Sequence, residues 1–340
     1  MKALDKPVGV LGGGAFGTTL AQLAARAGHR SMLWLRDPKA KALIAEGREN
    51  SRYLPGHRLE DAVELTTDLA EVADRCLLIL LAIPSREFRA VSRNLGDSVR
   101  GDHVLISATK GLEQDSYLRM TEILRQETCS LKIGAISGPN LALEIMRGVP
   151  AATVVASRYD EVVRLAIAAL RTPAFRVYAS RDVLGVELGG AVKNVIAIAG
   201  GITRGLGYGD NTLSLLISRG LSEMTRLGAR MGADPRTFSG LSGVGDLVVT
   251  AFSNLSRNHR VGLGLAKGRP IEEILDELGQ VAEGVPTAGV VKDWAEETGL
   301  DLPICRGVHA ILHDKASPRE VLGELMALHA RWEADNRRID

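Results

Sequence analysis

Lys193 is the only charged residue in the run Ala191-Val192-Lys193-Asn194-Val195-Ile196-Ala197-Ile198-Ala199. An ammonium is rarely left buried without a partner, and burial lowers its pKa toward neutrality, where it can exchange protons. That property suits an acid/base catalyst. The alternative is a lysine whose stem packs while its head reaches water. A second group lies in the stretch from Thr250 to Asn258, where Ser256, Arg257 and Asn258 lead into a helical segment running from Arg260 to Ala266. A hydroxyl, a guanidinium and an amide at a helix start form a cradle for an oxyanion or phosphate, since arginine grips phosphate in a fork and the helix end supplies amides. The same residues also read as an ordinary capped surface helix.

The third group is Gly12-Gly13-Gly14-Ala15-Phe16-Gly17, a GxGxxG pattern directly after the apolar Val8-Gly9-Val10-Leu11 and before the helical stretch from Thr18 to Ala24. In that context Gly12 permits the tight turn, Gly14 lets the backbone approach a pyrophosphate, and Gly17 allows close packing of helix on strand. The helix N-terminus then presents amides to phosphate, so the segment predicts dinucleotide binding. The end of the second strand selects the dinucleotide, because an acid there holds the ribose 2′-hydroxyl of NAD and an arginine pairs the 2′-phosphate of NADP. It reads Leu35-Arg36-Asp37-Pro38. Arg36 favours NADP; Asp37 either turns inward for NAD or caps the helix that Pro38 opens.

These groups need a scaffold, and the first half of the chain alternates strand-like and helical runs, the pattern of a parallel α/β sheet. Strands are predicted at Val8–Leu11, Ser31–Leu35, Leu77–Leu81, Val104–Ser107, Ile133–Ile136 and Ala152–Val155. After about Leu184 the pattern becomes a succession of helices, one with a clear start at Ser317-Pro318-Arg319-Glu320. The expected architecture is an α/β Rossmann-type domain with a mostly parallel sheet, residues 1–184, followed by an all-α domain, residues 185–340, with the site in the cleft between them.

Composition narrows the function. With 42 basic and 41 acidic residues the net charge is +1, and no like-charge block offers a footprint for nucleic acid or anionic membrane. The longest apolar run, Cys76 to Ile83, is short of the roughly 20 residues of a membrane span, and Met1 to Pro7 lacks a signal-peptide core, so a cytoplasmic protein is expected. Cys76, Cys129 and Cys305 are widely spaced and suggest neither a disulfide framework nor a zinc site. His309 and His313 have helical metal-ligand spacing, but Ala310 replaces the glutamate of HExxH, and no metal is expected. The serines lack a GxSxG elbow, which leaves nucleophilic hydrolysis without support.

In their order along almost the whole chain these segments resemble the bacterial-type NAD(P)-dependent glycerol-3-phosphate dehydrogenases. The resemblance is carried by the glycine motif together with Ala82-Ile83-Pro84-Ser85, Ser107-Ala108-Thr109-Lys110-Gly111-Leu112 and Ser137-Gly138-Pro139. It continues through Gly185 to Val195, Gly209-Asp210-Asn211-Thr212, Arg219 to Met224, Gly243-Val244-Gly245-Asp246-Leu247, Ser256-Arg257-Asn258 and Val281-Ala282-Glu283-Gly284. It implies reduction of dihydroxyacetone phosphate to sn-glycerol 3-phosphate for glycerophospholipid synthesis, by a homodimer.

Carried over residue by residue, Lys193 is the proton donor and acceptor, Lys110 stands beside substrate and nicotinamide, and Asp246 contacts substrate hydroxyls and can hold Lys193. Gly138, Ser256, Arg257 and Asn258 complete the substrate site. The cofactor, NADP or NAD, would meet Ala15, Phe16, Arg36, Lys110, Ala142, Arg257, Val281 and Glu283. One departure is Asn140, where the family commonly has Ser or Thr; an amide both donates and accepts, so it can take over the contact. A 3-hydroxyacid or 2-oxoacid reductase of the same architecture, or a non-catalytic dinucleotide sensor, remains as an alternative reading. The first has no use for the phosphate cluster, the second none for a proton donor.

Overall fold

The computed structural model describes residues 4–327; the expected helical domain extends to 340, and its last part lies outside the described residues. Eight strands form one sheet: β1 (Val8–Leu11), β2 (Ser31–Trp34), β3 (Val63–Thr66), β4 (Leu78–Leu81), β5 (Val104–Ser107), β6 (Lys132–Ser137), β7 (Ala151–Ser157) and β8 (Phe175–Ser180). Their order is β3-β2-β1-β4-β5-β6-β7-β8. Every pairing is parallel except β6 with β7. The crossovers are α1 (Ala15–Arg26), α2 (Pro38–Gly47), α3 (Leu69–Arg75), α4 (Ser85–Gly96), α5 (Met120–Glu127) and α7 (Asp160–Leu170), while α6 (Ala142–Met146) lies in the connection between the antiparallel β6 and β7.

The six strands expected from the sequence are present. The two not anticipated, β3 and β8, sit at the sheet edges. Interior parallel strands are covered on both faces and read as unbroken apolar runs, whereas edge strands alternate. Thus β1, β4 and β5 are buried throughout, while Val63-Glu64-Leu65-Thr66 and Phe175-Arg176-Val177-Tyr178-Ala179-Ser180 carry polar residues toward solvent.

From residue 183 onward the described chain is helical: α8 (Val183–Gly205), α9 (Asp210–Arg230), α10 (Pro235–Phe238), a π turn at Leu241–Gly245, α11 (Asp246–Phe252), α12 (Arg257–Ala266), α13 (Ile271–Leu278), α14 (Gly284–Thr298), α15 (Pro303–His313) and α16 (Pro318–Met326). The expected boundary near 184 falls one residue inside α8. The start read at Ser317 is there, its hydroxyl accepting from the Glu320 amide. By length and mean hydropathy, 1.5, α8 could cross a bilayer, which the count of uninterrupted apolar residues had overlooked. It is instead the buried axis of the helical domain, enclosed from Gly185 to Thr203.

Two apolar layers cover the faces of the sheet and a third surrounds α8. Leu112, from the loop after β5, is buried in the helical layer. The hairpin that follows is clamped there too. Glu187 of α8 is buried and accepts from Arg119 Nη1 at 2.6 Å and from the amide and hydroxyl of Thr121. Tyr117 donates to Asp293 of α14 at 2.9 Å. This strap starts at Lys110, so the loop that carries the lysine is fastened to the helical domain on which Lys193 lies.

Candidate active site

At the carboxyl end of β1 the glycine motif has the geometry its spacing predicts. Gly12 sits at φ +119°, and a Cβ there would stand 2.3 Å from the Ala82 carbonyl oxygen. A Cβ on Gly17 would stand 1.9 Å from the Gly12 carbonyl oxygen, so α1 lies against the turn only because both are glycine. Gly14 differs: no atom lies within 4 Å of the corresponding point. The open approach in front of the α1 N-terminus, where Ala15 and Phe16 form the first turn, fits a pyrophosphate. Asn50 steadies the turn by donating to the Gly13 carbonyl and the Thr18 hydroxyl.

Asp37 resolves its two readings by capping α2: its carboxylate accepts from the Lys39 amide at 2.9 Å. Arg36 projects into solvent and pairs with Glu87 of α4 at 3.1 Å.

The lysine cluster lies where the sheet meets α8. Lys193 is 4 % exposed, and its Nζ donates to Asp246 Oδ1 at 2.9 Å and to Thr250 Oγ1 at 2.6 Å. Lys110 Nζ donates to the other oxygen of Asp246 at 2.7 Å and to the Gly138 carbonyl at 2.7 Å. Two ammoniums therefore share one carboxylate, one from each domain. Burial, opposed by the nearby Asp246 charge, lowers the Lys193 pKa to about 8. Burial raises the Asp246 pKa, but the charges of Lys110 and Lys193 outweigh it and hold the carboxyl below its ordinary value. The cluster is left with a net positive charge in a dry place, a condition that favours negative charge developing beside it.

Helix geometry explains why these groups meet. Asp246 opens α11 and Thr250 lies four residues on, so both stand on one face toward α8. On α8, Gly190 makes room for the Lys110 stem: a Cβ there would stand 3.4 Å from Lys110 Cγ and 2.5 Å from Ser137 Oγ. One turn later, Asn194 donates to the Lys110 carbonyl at 3.2 Å and accepts from Asn258 at 2.9 Å. Asn258 in turn accepts from the Gly284 amide at 2.9 Å.

Ser256 is the N-cap of α12, as the plainer reading had it, its oxygen accepting from the His259 amide. Arg257 is exposed, donating by Nη1 to the Val281 carbonyl at 2.7 Å. Glu283 accepts from the amide and hydroxyl of Ser85 at 3.0 and 2.5 Å, joining the helical domain to the start of α4. Burial raises its pKa against those two hydrogen bonds and the nearby Arg257 charge. Asn140 donates to Thr153 at 2.9 Å, while its side-chain oxygen is buried without a hydrogen-bond partner. Ala142 opens α6, two residues on.

The structure thus brings Lys110, Gly138, Lys193 and Asp246 into direct contact, and joins Lys110 through Asn194 and Asn258 to the segment that carries Val281, Glu283 and Gly284, where Arg257 is bonded to Val281. Thr250 and Asn194 were quoted in the sequence motifs without a role. The available signals were the four-residue interval from Asp246 to Thr250 and the adjacency of Asn194 to Lys193.

Residues 7–163 match the family described as NAD-dependent glycerol-3-phosphate dehydrogenase N-terminus, and residues 182–323 match its C-terminus. The chain belongs to this family. It is 45% identical over 94% of both chains to a glycerol-3-phosphate dehydrogenase [NAD(P)+] of Teredinibacter turnerae. A Pseudomonas fluorescens protein of the same name is 45% identical over 97% of this chain and 93% of its own. Among solved structures, the glycerol-3-phosphate dehydrogenase of Coxiella burnetii superposes with a TM-score of 0.90 at 35% identity, covering 95% of this chain and 99% of that one.

Proposed function

We propose that this glycerol-3-phosphate dehydrogenase interconverts dihydroxyacetone phosphate and sn-glycerol 3-phosphate, with Lys193 as the acid and base. The observation that carries the assignment is the buried Lys193–Asp246–Lys110 cluster, with Lys193 near pKa 8. A group poised there passes a proton in either direction at neutral pH. The bound nicotinamide supplies or accepts the hydride.

In reduction, negative charge grows on the substrate oxygen. The two ammoniums stabilise it and Lys193 protonates it, while Asp246 holds both in place. Arg257, with one of its nitrogens engaged by Val281 among the described residues, is the group for the substrate phosphate. Gly138, Asn140, Ser256 and Asn258 line the remaining substrate site, Asn140 through its unpartnered oxygen. Gly12, Gly14, Ala15, Phe16, Gly17, Arg36, Lys110, Ala142, Val281 and Glu283 are the residues that would hold the dinucleotide, with Arg257 shared between it and the substrate. With Asp37 committed to its helix, Arg36 favours NADP.

The enzyme supplies glycerophospholipid synthesis, and we assign it to the cytoplasm, in keeping with three free thiols. A homodimer is in keeping with the exposed apolar side chains of Leu215, Val248 and Phe252 on α9 and α11. Light scattering of the purified protein tests that state.

The deciding experiment follows reduced-nicotinamide absorbance with dihydroxyacetone phosphate, unphosphorylated dihydroxyacetone and 2-oxoacids, each with NADH and NADPH. Turnover confined to the phosphorylated ketone supports the assignment. Equal turnover of dihydroxyacetone, or preference for an oxoacid, refutes it.

A further inference from the structure

The Arg36–Glu87 ion pair stands in an informative place. Strand β1 lies between β2 and β4 in the sheet. Arg36 follows β2, whereas Glu87 lies in the first turn of α4, which follows β4. Neighbouring strands are about 4.8 Å apart, so a pair joining the ends of β2 and β4 must reach across the end of β1. That is the crevice over the carboxyl ends of the strands where a dinucleotide lies, with its adenosine ribose toward β2. Glu87 thus brings a carboxylate from the opposite wall to the arginine expected to read the 2′ position. Arg86 stands beside it, its Nε 3.5 Å from the other oxygen of Glu87.

Asp37, the residue next to Arg36, is occupied as a helix cap. Discrimination between NAD and NADP requires an anionic acceptor for a ribose hydroxyl in one case and a cation for a phosphate in the other. The two functions lie on the two members of this pair. We propose that Glu87 is a specificity-determining residue for the cofactor. Its carboxylate accepts the 2′-hydroxyl of NAD, and it is the intramolecular competitor that the 2′-phosphate of NADP displaces from Arg36. Displaced, it retains Arg86 as a partner. A phosphate carries about −1.5 to −2 charge and outcompetes a carboxylate for an exposed arginine; a hydroxyl does not. One ion pair therefore serves both dinucleotides, opened by one and kept closed by the other. The proposal rests on the reading of Arg36 as the 2′-phosphate contact.

The test is equilibrium binding of NADPH and NADH to the full-length protein, followed by nicotinamide fluorescence in the absence of substrate. Wild type is compared with Glu87→Gln and Arg36→Ala. The side chains of Arg36 and Glu87 are 71% and 35% exposed, so the variants should keep the wild-type thermal midpoint. An exposed ion pair changes an equilibrium by up to about fivefold, so Glu87→Gln should bind NADPH about two- to fivefold more tightly. It should bind NADH at least about threefold more weakly, having lost a charged acceptor. Arg36→Ala should weaken NADPH selectively.

If Glu87→Gln leaves the NADPH/NADH affinity ratio unchanged, or moves both affinities equally, the Glu87 proposal is overturned, whatever Arg36→Ala does. If Arg36→Ala weakens both cofactors equally, the reading of Arg36 itself fails, and the proposal falls with it. The two failures are separable because each belongs to its own variant.

Discussion

Replacing Asp246 by asparagine isolates the electrostatics of the site with little change of shape. In the native protein Asp246 is 1 % exposed and accepts from Lys193 at 2.9 Å and Lys110 at 2.7 Å. Burial depresses the Lys193 pKa, and the Asp246 charge is the largest influence opposing it, leaving the value at about 8. A hydrogen bond to a charged group contributes about 1.5–3 kcal/mol, and a tenfold change in a proton equilibrium corresponds to about 1.4 kcal/mol. Losing the charge should therefore move Lys193 from about 8 to roughly 6–7.

At pH 7.5 its protonated fraction then falls from about three quarters to about a quarter or less. Reduction needs the ammonium and oxidation the free amine, so the two directions should respond oppositely. The falling limb of the reduction profile and the rising limb of the oxidation profile should both move to lower pH. Initial rates in both directions across pH 5.5–9.5, at saturating cofactor, provide the measurement. Reduction near pH 7.5 should slow by at least about threefold. A loss of rate with both inflections still near 8 would refute the reasoning, because Asp246 would then be positioning the lysines without setting their protonation.

Lys193→Ala should cut turnover by about 100-fold or more, as loss of a general acid does, while dinucleotide binding measured by fluorescence stays near normal. Arg257→Ala should lower kcat/KM for dihydroxyacetone phosphate by roughly tenfold to a few hundredfold. Unphosphorylated dihydroxyacetone should remain a poor substrate for both proteins; an equal penalty on the two substrates would make Arg257 a cofactor contact or a helix-start residue. The glycine turn separates into two roles. Gly14→Ala, with no protein atom near the added carbon, should unfold at the wild-type temperature yet bind NADPH weakly, whereas Gly17→Ala should lower the melting temperature itself. Glu187→Ala should cost about 1–3 kcal/mol in denaturant unfolding, because the buried amide and hydroxyl of Thr121 lose their acceptor while Arg119 keeps Glu122, and a cost below about 1 kcal/mol would show that the strap is held by Leu112 and Tyr117.

Local chemistry made much of the protein legible before folding. A glycine turn between a strand and a helix has one geometric solution, and the open side of Gly14 and the crowded sides of Gly12 and Gly17 are already implied by their spacing. The interior strands were legible because both faces are buried, and β3 and β8 escaped because an edge strand shows its polar side. Lys193 stood out because a charge in an apolar helix demands a partner.

The sequence could not identify how that demand is met. Lys110, Asp246 and Thr250 are far from Lys193 along the chain, and their convergence depends on how α8 packs against the sheet and α11. Resemblance to relatives named the lysines and the aspartate, but only the packing shows one carboxylate divided between two ammoniums and Thr250 as a further partner. The same holds at the 2′ end of the crevice. Leu35-Arg36-Asp37-Pro38 allowed Asp37 two roles, and the local turn settles it as the cap of α2, whereas only the folded sheet brings Glu87 to Arg36 from a different crossover. Spacing along a chain fixes what neighbours on one helix or turn can do; pairings across the sheet and between domains exist only when the chain has folded.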